Sequence, residues 1–205
     1  MPPEKQLWIL TGGNGAGKST FYRLFLEPRG MVFINADNIA RDLSPDSPEE
    51  SSYRAARLAE IIRYELLQEG ATFCYETVFS HPSKIDFIAD ARALGYQVIL
   101  VLIHLDCSDL NKARVAQRVG EGGHAVPEIK IESRIPRTLD NVRRALALAN
   151  EVHVIDNSSL EQPFIRIARL SEGHLQAYQP LESWARELLI DYLWKARKEN
   201  TELPG

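Results

Sequence analysis

A glycine-rich stretch near the start of the chain has the residue types and the spacing of a phosphate-binding loop. Residues 11–20 read TGGNGAGKST, which fits the pattern G-x-x-x-x-G-K-[ST] with Gly12, Gly17, Lys18 and Ser19 at its fixed positions. Glycines let consecutive backbone N–H groups turn toward phosphate oxygens, and a following helix directs its N-terminus at the same charge. The sequence therefore predicts a nucleotide-binding loop formed by Gly12, Gly13, Asn14, Gly15, Ala16, Gly17, Lys18, Ser19 and Thr20.

The last residues of this loop predict the cofactors. The Lys18 ammonium would contact the outer phosphates of a bound nucleotide, and the Ser19 hydroxyl would be a ligand of Mg²⁺. We therefore expect ATP and Mg²⁺, with Ser19 as the metal-binding residue. A guanine nucleotide is not expected, because the sequence NKAR at 111–114 has Arg114 where the guanine-reading pattern N-K-x-D needs an Asp.

Two further classes of nucleotide-binding protein are disfavoured. The sequence RLSEGHLQ at 169–176 is similar to the L-S-G-G-Q signature of transporter ATPases, but an amphipathic helix follows it instead of a hydrophobic strand ending in Asp-Glu. No run of four apolar residues in the sequence ends in Asp-Glu, the pair that motor and switch ATPases use to activate water. The phosphate acceptor is therefore expected to be a substrate hydroxyl.

Polar residues at the ends of two predicted strands are candidates for contact with that hydroxyl. Ligands of open parallel sheets gather beyond the carboxyl ends of the strands, where the sequence places Asp37, Glu76 and Thr77. Asp37 is the predicted base, because a hydroxyl acceptor needs a carboxylate to deprotonate it during phosphoryl transfer; the alternative is a helix cap. If the third strand neighbours the first, Glu76 would hold a Mg²⁺-bound water or the substrate; the alternative is a solvated side chain. Thr77 would add a hydrogen bond to the substrate.

An arginine-rich segment at about 118–137 predicts a lid. Its glycines and many charges indicate a mobile insertion over one end of the sheet, and the helical pattern is expected to break at Pro136, since proline inside a helix costs about 3 kcal/mol. Arginines stabilise the charge of a transferring phosphoryl group once a lid excludes water. His124 would contact the nucleobase of the bound nucleotide or belong to a plain loop. The candidate lid arginines are Arg114, Arg118, Arg134 and Arg137.

Apolar runs alternate with segments of helical period, which predicts an α/β fold with a mainly parallel sheet flanked by helices, as in nucleotide kinases. The predicted strands are Leu7–Thr11, Met31–Asn35, Thr72–Thr77, Gln97–Leu105, Val152–Ile155 and Phe164–Leu170. The predicted helices lie near Ser19–Leu26, Pro48–Glu69, Pro82–Leu94, Asp109–Val119 and Arg137–Ala149. Residues 1–205 are expected to form a single P-loop domain with an amphipathic C-terminal helix at about 181–198.

The long helix after the second strand has predicted ends and a predicted buried face. Ser47 as N-cap, Pro48 at the first helical position and Glu50 three residues after the cap form a capping box, and Gly70 ends the helix. The buried face is expected to carry the apolar residues that recur at helical spacing, namely Ala55, Ala59, Ile62 and Leu66.

Composition excludes some partners. The formal net charge of −4 gives no electrostatic footprint for nucleic acid. The N-terminal apolar run is too short for a signal peptide or a membrane span, so we expect no membrane and a cytoplasmic location. Cys74 and Cys107 lie far apart in apolar runs, which favours buried hydrophobic side chains over a disulfide or a zinc site.

Together these motifs resemble those of the zeta-toxin-like P-loop kinases. The resemblance covers roughly Leu7 to Ser158 and rests on GGNGAGKST, FINADNIAR, ETVFSH, ARVAQRVGEGGHAVP with KIESRIPR, and VIDNS. It implies ATP- and Mg²⁺-dependent phosphorylation of a small molecule with a free hydroxyl, for which UDP-N-acetylglucosamine is the leading acceptor. In some members of the family an antitoxin protein covers the nucleotide site, so an antitoxin is a possible partner.

The resemblance also implies roles for individual residues. At the matching positions Lys18 would contact phosphates, Ser19 would hold Mg²⁺, Asp37 would be the base and Glu76 would hold the substrate. The lid arginines would be Arg118, Arg134 and Arg137. Two alternatives stay open: a regulatory protein that binds and slowly hydrolyses ATP without a small-molecule acceptor, and a kinase whose acceptor is a nucleoside, a coenzyme or a sugar.

Overall fold

The computed structural model describes residues 5–120 and 125–201, and a seven-stranded sheet forms its centre. The order across the sheet is β2-β3-β1-β4-β5-β6-β7. The first five strands in this order pair in parallel, and the last two are antiparallel. The predicted α/β fold with a mainly parallel sheet is confirmed. The strands are β1 (Gln6–Thr11), β2 (Val32–Ile34), β3 (Phe73–Thr77), β4 (Gln97–His104), β5 (Glu151–Asp156), β6 (Ile165–Ser171) and β7 (His174–Ala177).

Both faces of the sheet are buried, which explains why its central strands read as continuous apolar runs. Successive side chains of a strand point to opposite faces. In β4 one face contributes Val98, Leu100 and Leu102 to one core cluster. The other face contributes Ile99, Val101 and Ile103 to a second cluster. The helices therefore cover the sheet from two sides and leave its strand ends open to ligands.

Helices connect the strands at the predicted places, with one additional helix after β2. The first, α1 (Lys18–Phe21), follows the glycine-rich loop and continues as a π-helix over Tyr22–Leu26. The others are α2 (Ala36–Leu43), α3 (Pro48–Glu69), α4 (Ser83–Ala93), α5 (Ser108–Gly120), α6 (Glu128–Ala145), α7 (Ser183–Leu188) and α8 (Ile190–Thr201).

The ends of α3 agree with the prediction, except for the capping box. Gly70 ends the helix with a left-handed φ of 74°. Ser47 precedes the helix, but its side chain makes no capping hydrogen bond. Its backbone ψ of 64° lies outside the β region from which an N-cap side chain reaches the first turn. The predicted buried face is confirmed: the alanines are buried and the larger residues pack against the core, namely Ala55, Ala59, Ile62 and Leu66.

The predicted helix break at Pro136 is wrong. Helix α6 runs through Pro136 without interruption, so residues 128–136, expected to be an irregular part of the lid, are helical. Pro136 is exposed, so its ring does not disturb the core. His124, a predicted candidate for base recognition, lies outside the described residues.

Buried polar contacts hold α6 in place and offset the hydrogen bond that proline cannot donate. The Thr138 hydroxyl donates to the carbonyl of Val78 at 2.7 Å, and the Asn141 side-chain amide donates to the carbonyl of Phe79 at 3.0 Å. Both donors are almost fully buried. The helix is therefore anchored to the connection between β3 and α4, at the edge of the sheet where the strands end.

Two other expectations need correction. The predicted C-terminal helix is two helices, because Leu189, which is fully buried, leaves the helical conformation between α7 and α8. Cys107 is exposed, since it lies in the connection after β4, whereas Cys74 is buried as predicted; neither forms a disulfide. Across 5–120 and 125–201, no helix is long and apolar enough to cross a membrane.

Candidate active site

The glycine-rich loop lies at the carboxyl end of β1 and borders a cavity of about 920 Å³. The cavity extends from the loop and α1, past the ends of β2 and β3, to α3 and the start of α4. On its other side lie α5, α6 and the connection after β5. This is the position where open parallel sheets bind their ligands, and the cavity has the size typical of small-molecule sites.

Close packing explains two of the glycines. A Cβ on Gly12 would lie 2.0 Å from the Ile103 carbonyl oxygen, so only glycine lets the loop leave β1 beside β4. Gly17 has a φ of 101°, and a Cβ there would lie 2.6 Å from the Asn157 amide nitrogen. The loop conformation therefore depends on the absence of side chains at these positions.

Two buried asparagines hold the loop from behind. The Asn111 side chain, on α5, donates to the Asn14 carbonyl at 2.7 Å. The Asn157 side chain, after β5, donates to the Ala16 carbonyl at 2.8 Å and accepts from the Phe164 N–H at 3.1 Å. By occupying carbonyl groups of the loop, both side chains favour a backbone whose N–H groups face the cavity.

Lys18 is buried beneath the loop that it ends. Its ammonium donates to the Gly13 carbonyl at 2.9 Å and lies 3.6 Å from the Glu76 carboxylate. Burial lowers the pKa of Lys18, and the carboxylates of Glu76 and Asp37 oppose this effect. The two carboxylates therefore help to keep a buried ammonium charged.

Glu76 joins three residues of the site. Strand β3 lies beside β1 and pairs Glu76 with Leu10, which meets the condition for its predicted role. One carboxylate oxygen accepts from the Ser19 hydroxyl at 2.6 Å and from the Asn35 amide at 2.7 Å. The other faces the Lys18 ammonium. A carboxylate, a hydroxyl and a lysine thus meet at the start of α1.

Asp37 lines the same cavity from the first turn of α2, with its side chain exposed. It is not the cap of that helix: Asn35 is, and its side-chain oxygen accepts from the backbone N–H groups of Asp37 and Asn38 at 2.7 and 3.3 Å. The alternative interpretation of Asp37 as a cap is therefore wrong. Its carboxylate is left available to a ligand.

Thr77 also lines the cavity, at the end of β3. Its hydroxyl oxygen accepts from the Phe79 N–H at 3.0 Å. Phe79 is fully buried and has a left-handed φ of 63°, a conformation that is unusual for a bulky residue. Thr77 therefore stabilises the turn that follows β3, and its hydroxyl can still donate to a ligand.

The candidate lid arginines fall into two groups. Arg118 on α5 and Arg134 on α6 line the cavity, and Arg134 contacts the Asn14 side chain at 3.4 Å. Arg114 also lines it and donates to the Asn157 carbonyl at 2.9 Å. Arg137 does not line it, and its guanidinium binds the backbone and side chain of Ser133 one turn earlier. Arg134 and Arg137 are three residues apart on one continuous helix and so lie on neighbouring parts of its surface, yet only Arg134 reaches the cavity.

Several residues of the site were not predicted from the sequence. The asparagines Asn35, Asn111 and Asn157 act through tertiary contacts, although Asn35 and Asn157 stand in the quoted stretches FINADNIAR and VIDNS. Arg63 on α3 and Lys84 on α4 line the far end of the cavity. Arg63 interrupts the apolar face of α3 directly after Ile62, and this interruption was the signal that could have found it.

Comparisons with known proteins agree with this arrangement. A family model described as an AAA domain matches residues 7–137. An uncharacterized protein of Haemophilus influenzae is 30% identical over 138 residues, which make up 64% of this chain and 98% of that protein. The region matched by the family model contains the glycine-rich loop and the ends of β2 and β3.

Solved structures share the fold at low sequence identity. A chain of the AvrRxo1-ORF1:-ORF2 complex with ATP superposes with a TM-score of 0.66 and 17% identity, over 85% of this chain and 61% of that one. A chain of the PezAT toxin-antitoxin system of Streptococcus pneumoniae gives 0.62 and 16%, over 98% and 87%. This chain thus spans less than two thirds of the AvrRxo1 chain. The predicted P-loop fold, a mainly parallel sheet flanked by helices, is confirmed.

Proposed function

The chain belongs to the AAA domain family, and we propose that it is an ATP-dependent kinase that transfers the γ-phosphate to a hydroxyl of a small molecule. The observation that carries the proposal is one cavity that contains a phosphate loop, an available carboxylate and cationic side chains, with room beyond the loop for a second ligand. UDP-N-acetylglucosamine is the first acceptor to test. The bound ATP of a structure with the same fold supports ATP as the donor.

In this proposal the loop binds the phosphates of ATP. Its N–H groups would surround the phosphate oxygens, and Lys18 would exchange its contact with the Gly13 carbonyl for the outer phosphates. Ser19 and Glu76 fit Mg²⁺, because their oxygens lie 2.6 Å apart and are the hard ligands this ion prefers. A Mg²⁺ ion bound there would supply positive charge to the phosphate oxygens.

Asp37 would be the general base. The acceptor hydroxyl oxygen forms a bond to the γ-phosphorus, the bond between that phosphorus and the bridging oxygen breaks, and ADP leaves. The hydroxyl proton passes to the Asp37 carboxylate. Arg118 and Arg134 would stabilise the charge on the moving phosphoryl group. Arg137 would need to leave Ser133 to join them.

The test is phosphorylation of a defined panel of acceptors. Protein with Mg²⁺-ATP is incubated with UDP-sugars, nucleosides and coenzymes, and products with an added phosphate are detected by mass spectrometry. We expect a product with the native chain, and none with Lys18→Ala or Asp37→Ala. Asp37→Ala should still bind ATP. The control is Asp42→Ala, an exposed carboxylate on the same helix that does not line the cavity.

A different result would support the regulatory alternative. ATP hydrolysis that no acceptor stimulates and that Asp37→Ala leaves unchanged would contradict both the kinase and its base. The fold shared with PezAT also makes an antitoxin protein a proposed partner. Purification of the native chain from its own cells, followed by identification of bound proteins, would test that partner separately.

A further inference from the structure

A buried arginine at the acceptor end of the cavity has no partner for its charge among the described residues. Arg63, on α3, is 6% exposed. Its Nε is buried without a hydrogen-bond partner, and within 5–120 and 125–201 no carboxylate lies within ion-pair distance of it. Its contacts are the faces of two aromatic rings, Tyr75 at 4.8 Å and Phe87 at 5.5 Å.

Such a guanidinium is costly to keep buried unless an anion reaches it. Desolvation of a charge costs more free energy than contact with aromatic faces returns. Arg63 also lines the cavity, so a ligand can reach it. The Tyr75 and Phe87 rings contact the guanidinium without accepting conventional hydrogen bonds, so its N–H groups are available to a ligand in the cavity.

A second cation lies close to Arg63. Lys84, in the first turn of α4, lines the same part of the cavity. Burial lowers its pKa and the neighbouring Arg63 charge lowers it further, while the Glu60 carboxylate acts in the other direction. Two like charges that share a partly desolvated site repel each other. An anion between them would remove this repulsion and gain charge-assisted hydrogen bonds from both.

We propose that Arg63 and Lys84 form an anion subsite, so that the acceptor is a hydroxyl compound that also carries a phosphate or carboxylate group. The identity of the acceptor rests on the proposed kinase function, but the subsite itself does not. Arg63 would bind two oxygens of the anion, since guanidinium groups match the geometry of carboxylates and phosphates. The subsite would fix the acceptor with its hydroxyl toward Asp37 and the phosphate loop.

The first experiment measures anion binding and does not depend on catalysis. Inorganic phosphate and acetate are titrated in separate arms and followed by ligand-observed NMR, using a Lys18→Ala background to weaken phosphate binding at the loop. We expect binding that Arg63→Gln and Lys84→Gln each weaken by about tenfold or more, the size of a lost charged hydrogen bond. The anion that binds more tightly, phosphate or acetate, identifies the class of anion that the subsite prefers. Arg57→Gln is the matched control, an exposed arginine of α3 outside the cavity.

The results separate the subsite from the kinase. Anion binding that is unchanged in both Arg63→Gln and Lys84→Gln overturns the subsite, even if the chain proves to be a kinase. Should Arg63→Gln fail to fold, Lys84→Gln decides alone. In the acceptor panel, the native chain should phosphorylate a hydroxyl compound with an anionic group at least about tenfold faster than its neutral counterpart, and Arg63→Gln should raise KM for that acceptor and leave KM for ATP unchanged.

Discussion

Glu76 shows how one residue links the phosphate loop to the neighbouring strand. Its carboxylate contacts Ser19, Asn35 and Lys18 at once. Such a carboxylate favours a bound cation and repels the phosphates of a nucleotide that arrives without one. The sign of its effect on nucleotide binding should therefore depend on Mg²⁺.

We expect Glu76→Gln to change ATP affinity in opposite directions with and without Mg²⁺. With Mg²⁺ the affinity should fall by about tenfold, because a metal ligand is lost; without Mg²⁺ it should rise, because the repulsion is lost. Isothermal titration with ATP, with and without EDTA, measures both. Glu65→Gln, on the exposed side of α3, should show neither change. Equal effects under both conditions would contradict the metal-binding role.

His104 should make stability depend on pH. It is buried at the end of β4 beside the Trp184 ring, and burial lowers its pKa from 6.5 to about 4 although Asp156 and Asp106 act in the other direction. The unfolded chain therefore takes up a proton at a higher pH than the folded chain. The contribution to stability is complete above pH 6.5 and is lost as the pH falls toward 4, by about 3 kcal/mol in total.

The measurement is denaturant unfolding at several pH values between 4 and 7. His104→Phe should make the free energy of unfolding less dependent on pH in this interval, because the replacement cannot be protonated. His174→Gln, at an exposed position in β7, should keep the slope of the native chain. An unchanged slope in His104→Phe would contradict the assignment.

Helix α6 contains a proline in its interior, and the surrounding structure keeps the helix intact. Pro136 cannot donate a hydrogen bond to the preceding turn, and its exposed ring contributes no core packing. We expect Pro136→Ala to stabilise the protein by about 1–3 kcal/mol, measured as the free energy of chemical unfolding. Pro48→Ala, at the first position of α3, should bring no such gain, because the missing N–H has no helical partner there.

Most strands and helices could be predicted from the sequence because both faces of the parallel sheet are buried. Such strands read as apolar runs, and β1, β3 and β4 lie within one residue of their predicted ends. Strand β7 was not predicted, since it is short and largely exposed. Helix α6 was predicted to begin too late, because proline was expected to interrupt the helix. The buried contacts of Thr138 and Asn141 stabilise the helix in spite of Pro136.

The candidate site could be predicted only in part. The loop from Gly12 to Thr20 is local, so its spacing alone indicates phosphate. Glu76 could be placed only on the condition that the third strand neighbours the first, and β3 does pair with β1. The asparagines behind the loop and Arg63 could not, since their roles depend on residues that the fold brings together from distant parts of the chain. Arg114 and Arg118 are on one helix, but which arginines reach the cavity depends on how α5 and α6 pack.

For the whole molecule, α6 connects the two halves of the cavity. Arg134 contacts the phosphate loop through Asn14, and Thr138, one turn later, donates to the Val78 carbonyl in the turn after β3. The same helix therefore positions a cation at one end of the cavity and the turn after β3 at the other.

We expect Thr138→Val to destabilise the fold by about 1–2 kcal/mol, because the Val78 carbonyl loses its partner in a buried environment. It should also raise KM for the acceptor more than KM for ATP. Chemical unfolding and steady-state kinetics measure the two effects. Arg144→Gln, at an exposed position of the same helix that does not line the cavity, is the control. Equal changes in both KM values would contradict a role confined to the acceptor side.

The close approach of Gly12 to β4 limits which mutations of its codon preserve function. Since a Cβ there would lie 2.0 Å from a backbone oxygen, every missense mutation of this codon should abolish nucleotide binding, however conservative the exchange. Gly120, whose Cβ position has no atom of residues 5–120 or 125–201 within 4 Å, should accept most replacements. Sequencing a mutant library after selection for ATP binding should therefore recover only glycine at position 12 and many different residues at position 120.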